Sequence, residues 1–146
     1  MRQIKPSLLY SEINANAKAD IPTMIWGGPG LGKSQIVYQT AANNNSKLFE
    51  LRANLFDPVD VRGGLKVVEQ QDGSFRTRYG IPEDYPDANY QGRVTLFIDE
   101  LPVAPKATQN ALLQLILDRK IGTYTLPRET TIIAAGNRAK DRAAVH

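Results

Sequence analysis

The sequence predicts an α/β fold, a three-layer sandwich in which helices cover a parallel sheet, and three observations carry that expectation. A strand pattern, Ile21 to Trp26, runs into Gly27-Gly28-Pro29-Gly30-Leu31-Gly32-Lys33-Ser34 and then into a helical pattern from Ser34 to Ala42. Val94 to Ile98 is a near-continuous apolar run ending in Asp99-Glu100, and Thr130 to Ala135 is a second core run ending in Gly136-Asn137. Apolar runs with polar tips are the signature of strands buried on both faces of a parallel sheet. Strands alternating with helical patterns supply the crossover units that build one.

The remaining elements follow in chain order. Ser7 to Ala19 reads as a helix before the sheet, with Leu8, Leu9, Ile13 and Ala17 near helical spacing and Pro6 suited to its start. The helix after the glycine-rich loop ends at Asn43-Asn44-Asn45, residues that tolerate the left-handed conformation of a helix end. Lys47 to Arg52 is a second strand, and Asp57 to Gly64 a short turn or single helical turn. Leu65 to Glu69 and Ser74 to Tyr79, joined through Asp72-Gly73, carry the alternation and turn chemistry of an inserted β-hairpin. Gly80 to Gly92, with Pro82, Tyr85, Pro86 and Tyr90, reads as an irregular loop. Lys106 to Asp118 is a helix with Ala107, Ala111, Leu112, Leu115 and Ile116 inward, and Ile121 to Leu126 a short strand.

Composition sets the bounds. The 146 residues fit one domain with a real core, and 42% hydrophobic with 23% charged residues is a soluble, globular balance. No apolar run approaches the ~20 residues needed to span a bilayer, and Met1 to Pro6 lacks the apolar core of a secretory signal, so a cytoplasmic chain without membrane partners is expected. With no cysteine, disulfides, thiolate metal sites and cysteine nucleophiles are excluded. The net charge of +3, with no cluster of five Lys/Arg, suits a surface that binds phosphates better than a dedicated nucleic-acid binder.

The chemistry concentrates at the strand tips. Gly27 to Ser34 has two glycines with four residues between them followed by Lys and Ser, the pattern of a loop that cradles a nucleoside triphosphate. Its glycines let backbone N–H groups turn inward, Lys33 reaches the β/γ-phosphates, the Ser34 hydroxyl ligates Mg²⁺, and the helix start adds its positive dipole end. Candidate binding residues are therefore Gly28, Pro29, Gly30, Leu31, Gly32, Lys33 and Ser34. Asp99 and Glu100 leave a buried strand at its C-terminal end, where ligands bind. Asp99 is expected to hold Mg²⁺ and Glu100 to act as the base or water-positioning group. Asn137, at the tip of the last strand, is placed to orient a water or touch the γ-phosphate.

Gly27 to Ser34, Leu96 to Glu100 and Ala134 to Arg138 resemble the Walker A, Walker B and sensor-one motifs of AAA+ ATPases, over nearly the whole chain. Asp57 to Gly63, Asp99 to Pro105, Leu113 to Arg119 and the stretch from Asn137 to His146 resemble the MoxR-like branch. That resemblance implies a P-loop NTPase sandwich with ATP and Mg²⁺ at a subunit boundary of a ring, usually a hexamer. It implies strand order 5-1-4-3-2, here 1-4-3-2 with the fifth strand missing, and a hairpin insertion near the pore or its partners. The family's arginine finger, fifth strand and helical lid do not fit in the ten residues after Gly136. The expectation is an AAA+ core over 1–146, truncated after the sensor-one strand, with neither Arg138 nor Arg142 assigned as the finger.

Three functions stand at this point. The first is Mg-dependent ATP hydrolysis that remodels a protein partner within a homo-oligomeric ring, with Glu100, Lys33 and Asn137 catalytic and low activity for the truncated chain. The second is a nucleotide-dependent interaction module with little turnover. The third is a small-molecule kinase, disfavoured by Glu100 and by the Asn-tipped strand. Trp26 and Tyr38 read as core or nucleotide-adjacent packing. Arg76, Arg78 and Tyr79 read as a solvated hairpin face, with nucleic acid not indicated, and His146 has no assigned role.

Overall fold

In the computed structural model, residues 5–28 and 32–137 are described. Four strands form one parallel sheet: β1 (Thr23–Trp26), β2 (Lys47–Arg52), β5 (Val94–Asp99) and β8 (Thr130–Gly136), in the order β1-β8-β5-β2. Counted in chain order within this sheet they are its first, fourth, third and second strands, which is the 1-4-3-2 order expected. β5 lies between two neighbours and is buried from Val94 to Ile98, so its apolar run has no solvent face. β1 forms an edge of the sheet among the described residues.

Helices cover both faces. On one side α1 (Pro6–Lys18) and α2 (Lys33–Asn43) bring Ile13 and Val37 onto Ile25, Phe97 and Ile133. On the other, α4 (Lys106–Asp118) brings Leu112, Leu115 and Ile116 onto Leu96, Ile98 and Ile132. Leu8, expected on the inner stripe of α1, is exposed. It lies five residues from the buried Ile13, which is off the three-and-four spacing of a helix face. Ala107 is likewise exposed, and its neighbour Thr108 is buried instead, donating its hydroxyl to the Phe56 carbonyl at 2.8 Å.

The segment between β2 and β5 opens with a 3-10 turn, Ala53–Leu55, and then α3 (Pro58–Arg62), a single short helix closed by a reciprocal capping box between Asp57 and Asp60. Strands β3 (Leu65–Glu69) and β4 (Phe75–Tyr79) then pair antiparallel as the expected hairpin. The loop that follows is irregular but anchored: Tyr85 is buried against Tyr124, ring centroids 4.9 Å apart. The Tyr85 hydroxyl donates to the Val61 carbonyl and the Tyr124 hydroxyl to the Pro86 carbonyl. Burial pushes both phenols well above their ordinary pKa.

The single strand expected over Ile121 to Leu126 is instead a tight hairpin of β6 (Lys120–Ile121) and β7 (Tyr124–Thr125). Gly122 turns it with φ +59°, a left-handed conformation that glycine adopts without strain. Trp26 ends β1 and is 38% exposed, so it is not core. Among the described residues no helix is long and apolar enough to cross a membrane.

Candidate nucleotide site

Parallel strands deliver their C-terminal tips to one end of the sheet. Because β1, β8 and β5 are neighbours, the residues just past each tip gather there. These are Gly27 and Gly28 after β1, Asn137 after β8, and Asp99-Glu100 at the end of β5. The Gly27 N–H donates to the Gly136 carbonyl at 3.2 Å, extending the β1–β8 pairing to the start of the glycine-rich loop.

Lys33 is the first residue of α2, preceded by Gly32 at φ +73°. Its ammonium turns back toward the sheet and donates to the Gly27 carbonyl at 2.7 Å, the Gly28 carbonyl at 3.1 Å and Asn137 Oδ1 at 2.7 Å. A cation held by three oxygens spanning the loop and the last strand ties two of the three sequence signals together directly. Ser34 follows in the first turn, half-buried.

The third signal is set by an unusual backbone. Glu100 has φ +60° and ψ 30°, left-handed for a residue with a side chain, and its N–H donates to Asp99 Oδ1 at 2.9 Å. Backbone strain of this kind costs about 1–3 kcal/mol and gathers where a side chain must be aimed. Both carboxylates are half-buried. Next to them Gly136 is packed so tightly that a Cβ there would lie 2.3 Å from the Pro102 ring. Glycine at this tip lets the turn after β5 close over β8.

The donor set suits a hard divalent cation, because a serine hydroxyl and one carboxylate leave room for phosphate and water oxygens, as Mg²⁺ prefers. Among the described residues no cluster of three or more His, Cys, Asp or Glu could hold a metal by itself. Pro29, Gly30 and Leu31 of the loop, and Arg138, Arg142 and His146, lie outside the described residues.

Sequence reasoning missed Glu50. From β2 it accepts the Tyr38 hydroxyl at Oε2, 2.8 Å, while its buried Oε1 finds no hydrogen-bond partner among the described residues. That bond, followed by burial, raises the Tyr38 phenol's pKa, and Asp99 adds to the same direction. Tyr38 also sets its ring edge against Phe97, 6.3 Å between centroids. Tyr38 thus packs against the core under the sheet, as one of its two expected readings had it. The signal for Glu50 was a lone acid in a strand otherwise suited to burial.

The profile of the AAA domain, dynein-related subfamily, matches residues 22–145, and the chain belongs to this family. No curated protein sequence matches it. Among solved structures it is similar to NtrX from Brucella abortus, at 20% identity and TM-score 0.55 over 99% of this chain and 33% of that one. It is also similar to the RuvB Holliday junction branch migration motor of Thermotoga maritima, at 18% identity and TM-score 0.58 over 93% of this chain and 39% of that one. At these identities the likeness is one of fold. The chain spans about a third to two fifths of the length of these structures.

Proposed function

We propose that this chain binds ATP with Mg²⁺ and hydrolyses it, as a MoxR-like member of the family that remodels a protein partner from within a homo-oligomeric ring in the cytoplasm. The observation that carries the nucleotide reading is the Lys33 ammonium held between the glycine-rich loop and Asn137, beside the Asp99-Glu100 turn. Family membership supports nucleotide binding and hydrolysis. The remodelling role and the ring rest on the resemblance of the Asp57–Gly63 and Asp99–Pro105 stretches to that branch.

In this reading Lys33 exchanges its present oxygens for those of the β- and γ-phosphates, and the loop from Gly28 to Gly32 turns N–H groups toward them. Ser34 and Asp99 hold the metal, which when bound supplies charge neutralisation at the phosphate oxygens. Glu100 accepts a proton from the attacking water as its oxygen bonds to the γ-phosphorus and the bond to the ADP oxygen breaks. Asn137, released from Lys33, orients that water.

Two variants test the assignment. Lys33→Ala is expected to lose ATP binding in a titration with a fluorescent ATP analogue, while Glu100→Gln keeps binding and loses hydrolysis. Hydrolysis by Glu100→Gln at the parent rate would overturn the role given to Glu100.

A further inference from the structure

The β3–β4 hairpin stands out from the body of the chain with two unlike faces. In the antiparallel register Lys66 pairs with Arg78 and Val68 with Arg76, so three cations share one face. Like charges placed directly opposite destabilise a hairpin, and among the described residues none of the three finds an ion pair or side-chain hydrogen bond. The other face carries Leu65, Val67 and Phe75, each 65–68% exposed. A two-stranded ribbon with both faces in water is marginal on its own.

At the hairpin's foot lies a groove of about 470 Å³ with the complementary character. Its walls include Leu55, Val59 and Ile81, 56–71% exposed, and its rim carries the acidic Asp60, Glu83 and Asp84. The outer part of the hairpin, with Val67 and Phe75, is carried away from it within one molecule. Gly63, Gly64 and Gly80 join groove and hairpin, and the paired strands run away from that junction for roughly 17 Å.

We propose that the groove is the docking site for the hairpin of a second copy of this chain, with Leu65, Val67 and Phe75 covering the apolar wall while the long Lys66, Arg76 and Arg78 side chains reach round the edges of the ribbon to the acidic rim. Three cations meet three carboxylates, and each apolar patch covers the other. A nucleic acid would neutralise the cations but leave the apolar face in water, and the acidic groove at the hairpin's foot would repel phosphate. The contact is the same whether two copies exchange it reciprocally or a series passes it head to tail. The proposal rests on the reading of the chain as self-assembling, and it does not involve the nucleotide.

The test is sedimentation of the 146-residue chain over a concentration series without nucleotide, for four proteins: the parent, the triple variant K66E/R76E/R78E, the double variant E83K/D84K, and all five changes together. Each reversal alone is expected to weaken association by about tenfold or more, and the combined variant to recover most of that loss. Because the chain has no cysteine, a second measurement is available that does not depend on the charges. A Val67→Cys population mixed with a Leu55→Cys population is expected to form the mixed disulfide on oxidation.

Association that is unchanged by either reversal, together with no mixed disulfide, would overturn the hairpin contact while leaving self-assembly through another surface, such as the β1 edge, in place. A parent chain that stays monomeric would overturn both the contact and the self-assembly reading. So would a monomer that binds a single-stranded oligonucleotide through Lys66, Arg76 and Arg78. Neither result touches the ATP assignment.

Discussion

At the residue scale the metal-binding assignment separates from the phosphate-binding one. Asp99 is half-buried and already accepts the Glu100 N–H, so replacing its charge with an amide keeps the shape of the turn and removes the anion. Asp99→Asn is expected to weaken ATP binding more in the presence of Mg²⁺ than in its absence, read by paired titrations. Equal losses would show that Asp99 shapes the turn without meeting the metal. Tyr85 offers a second test at this scale, with the sign fixed by linkage. Its folded-state pKa is raised by burial, so the proton is held more tightly in the folded chain. The stability this represents is intact below the ordinary tyrosine pKa of about 10 and is lost as pH rises above it. The urea midpoint should therefore fall above about pH 10, and Tyr85→Phe should make that fall shallower. At neutral pH the same variant should cost about 1–3 kcal/mol, because the Val61 carbonyl loses its donor.

At the scale of elements, the hairpin's attachment is more demanding than its tip. Gly63 has φ +93°, and a Cβ there would fall 1.7 Å from the Gly80 carbonyl oxygen, so backbone must move. Gly73 at the turn has φ +85° but open space around it. Gly63→Ala is expected to destabilise the chain by about 2–4 kcal/mol, and Gly73→Ala by about 1–2 kcal/mol, as measured by urea denaturation. Elements whose residues agree locally were legible from sequence: β5 and β8 as unbroken apolar runs, β3–β4 by alternation around Asp72-Gly73, and α4 at its observed limits, Lys106–Asp118. Those decided by tertiary contact were not. Gly122 splits an apparent strand by turning at φ +59°, where Tyr79 and the Arg62 carbonyl leave little room for a side chain. Thr108 goes inward because the Phe56 carbonyl needs a donor, a demand set by a residue 52 positions away. The candidate site followed the same rule. Its loop and strand tips could be read as motifs, whereas the Lys33–Asn137 contact and the Tyr38–Glu50 pair required the sheet order.

For the whole molecule, the proposed ring would make hydrolysis a property of the assembly. If the proposed ring supplies an arginine in trans, the rate per chain should rise with protein concentration, since such a group is worth about 10³–10⁵ in related phosphate chemistry. A hydrolysis assay over a concentration series checks this. Turnover that is fast and independent of concentration would mean that one chain completes its own site.

The strand order also sets a timetable. β1 is complete by Trp26, yet its partner among the described residues is β8, which ends at Gly136, and the Lys33–Asn137 bond spans 104 positions. At synthesis rates of 5–20 residues per second, β1 waits roughly 5–20 s for the strand it pairs with. During that wait Ile25 and the inner face of α2 have no β8 to cover them, which is the interval in which a holding chaperone would matter most. Of the three oxygens that hold the Lys33 ammonium, the Gly27 and Gly28 carbonyls are made early and the Asn137 oxygen arrives only with β8. A nucleotide bound in the proposed manner would therefore stabilise the sheet that includes β8 and not the forms that lack it.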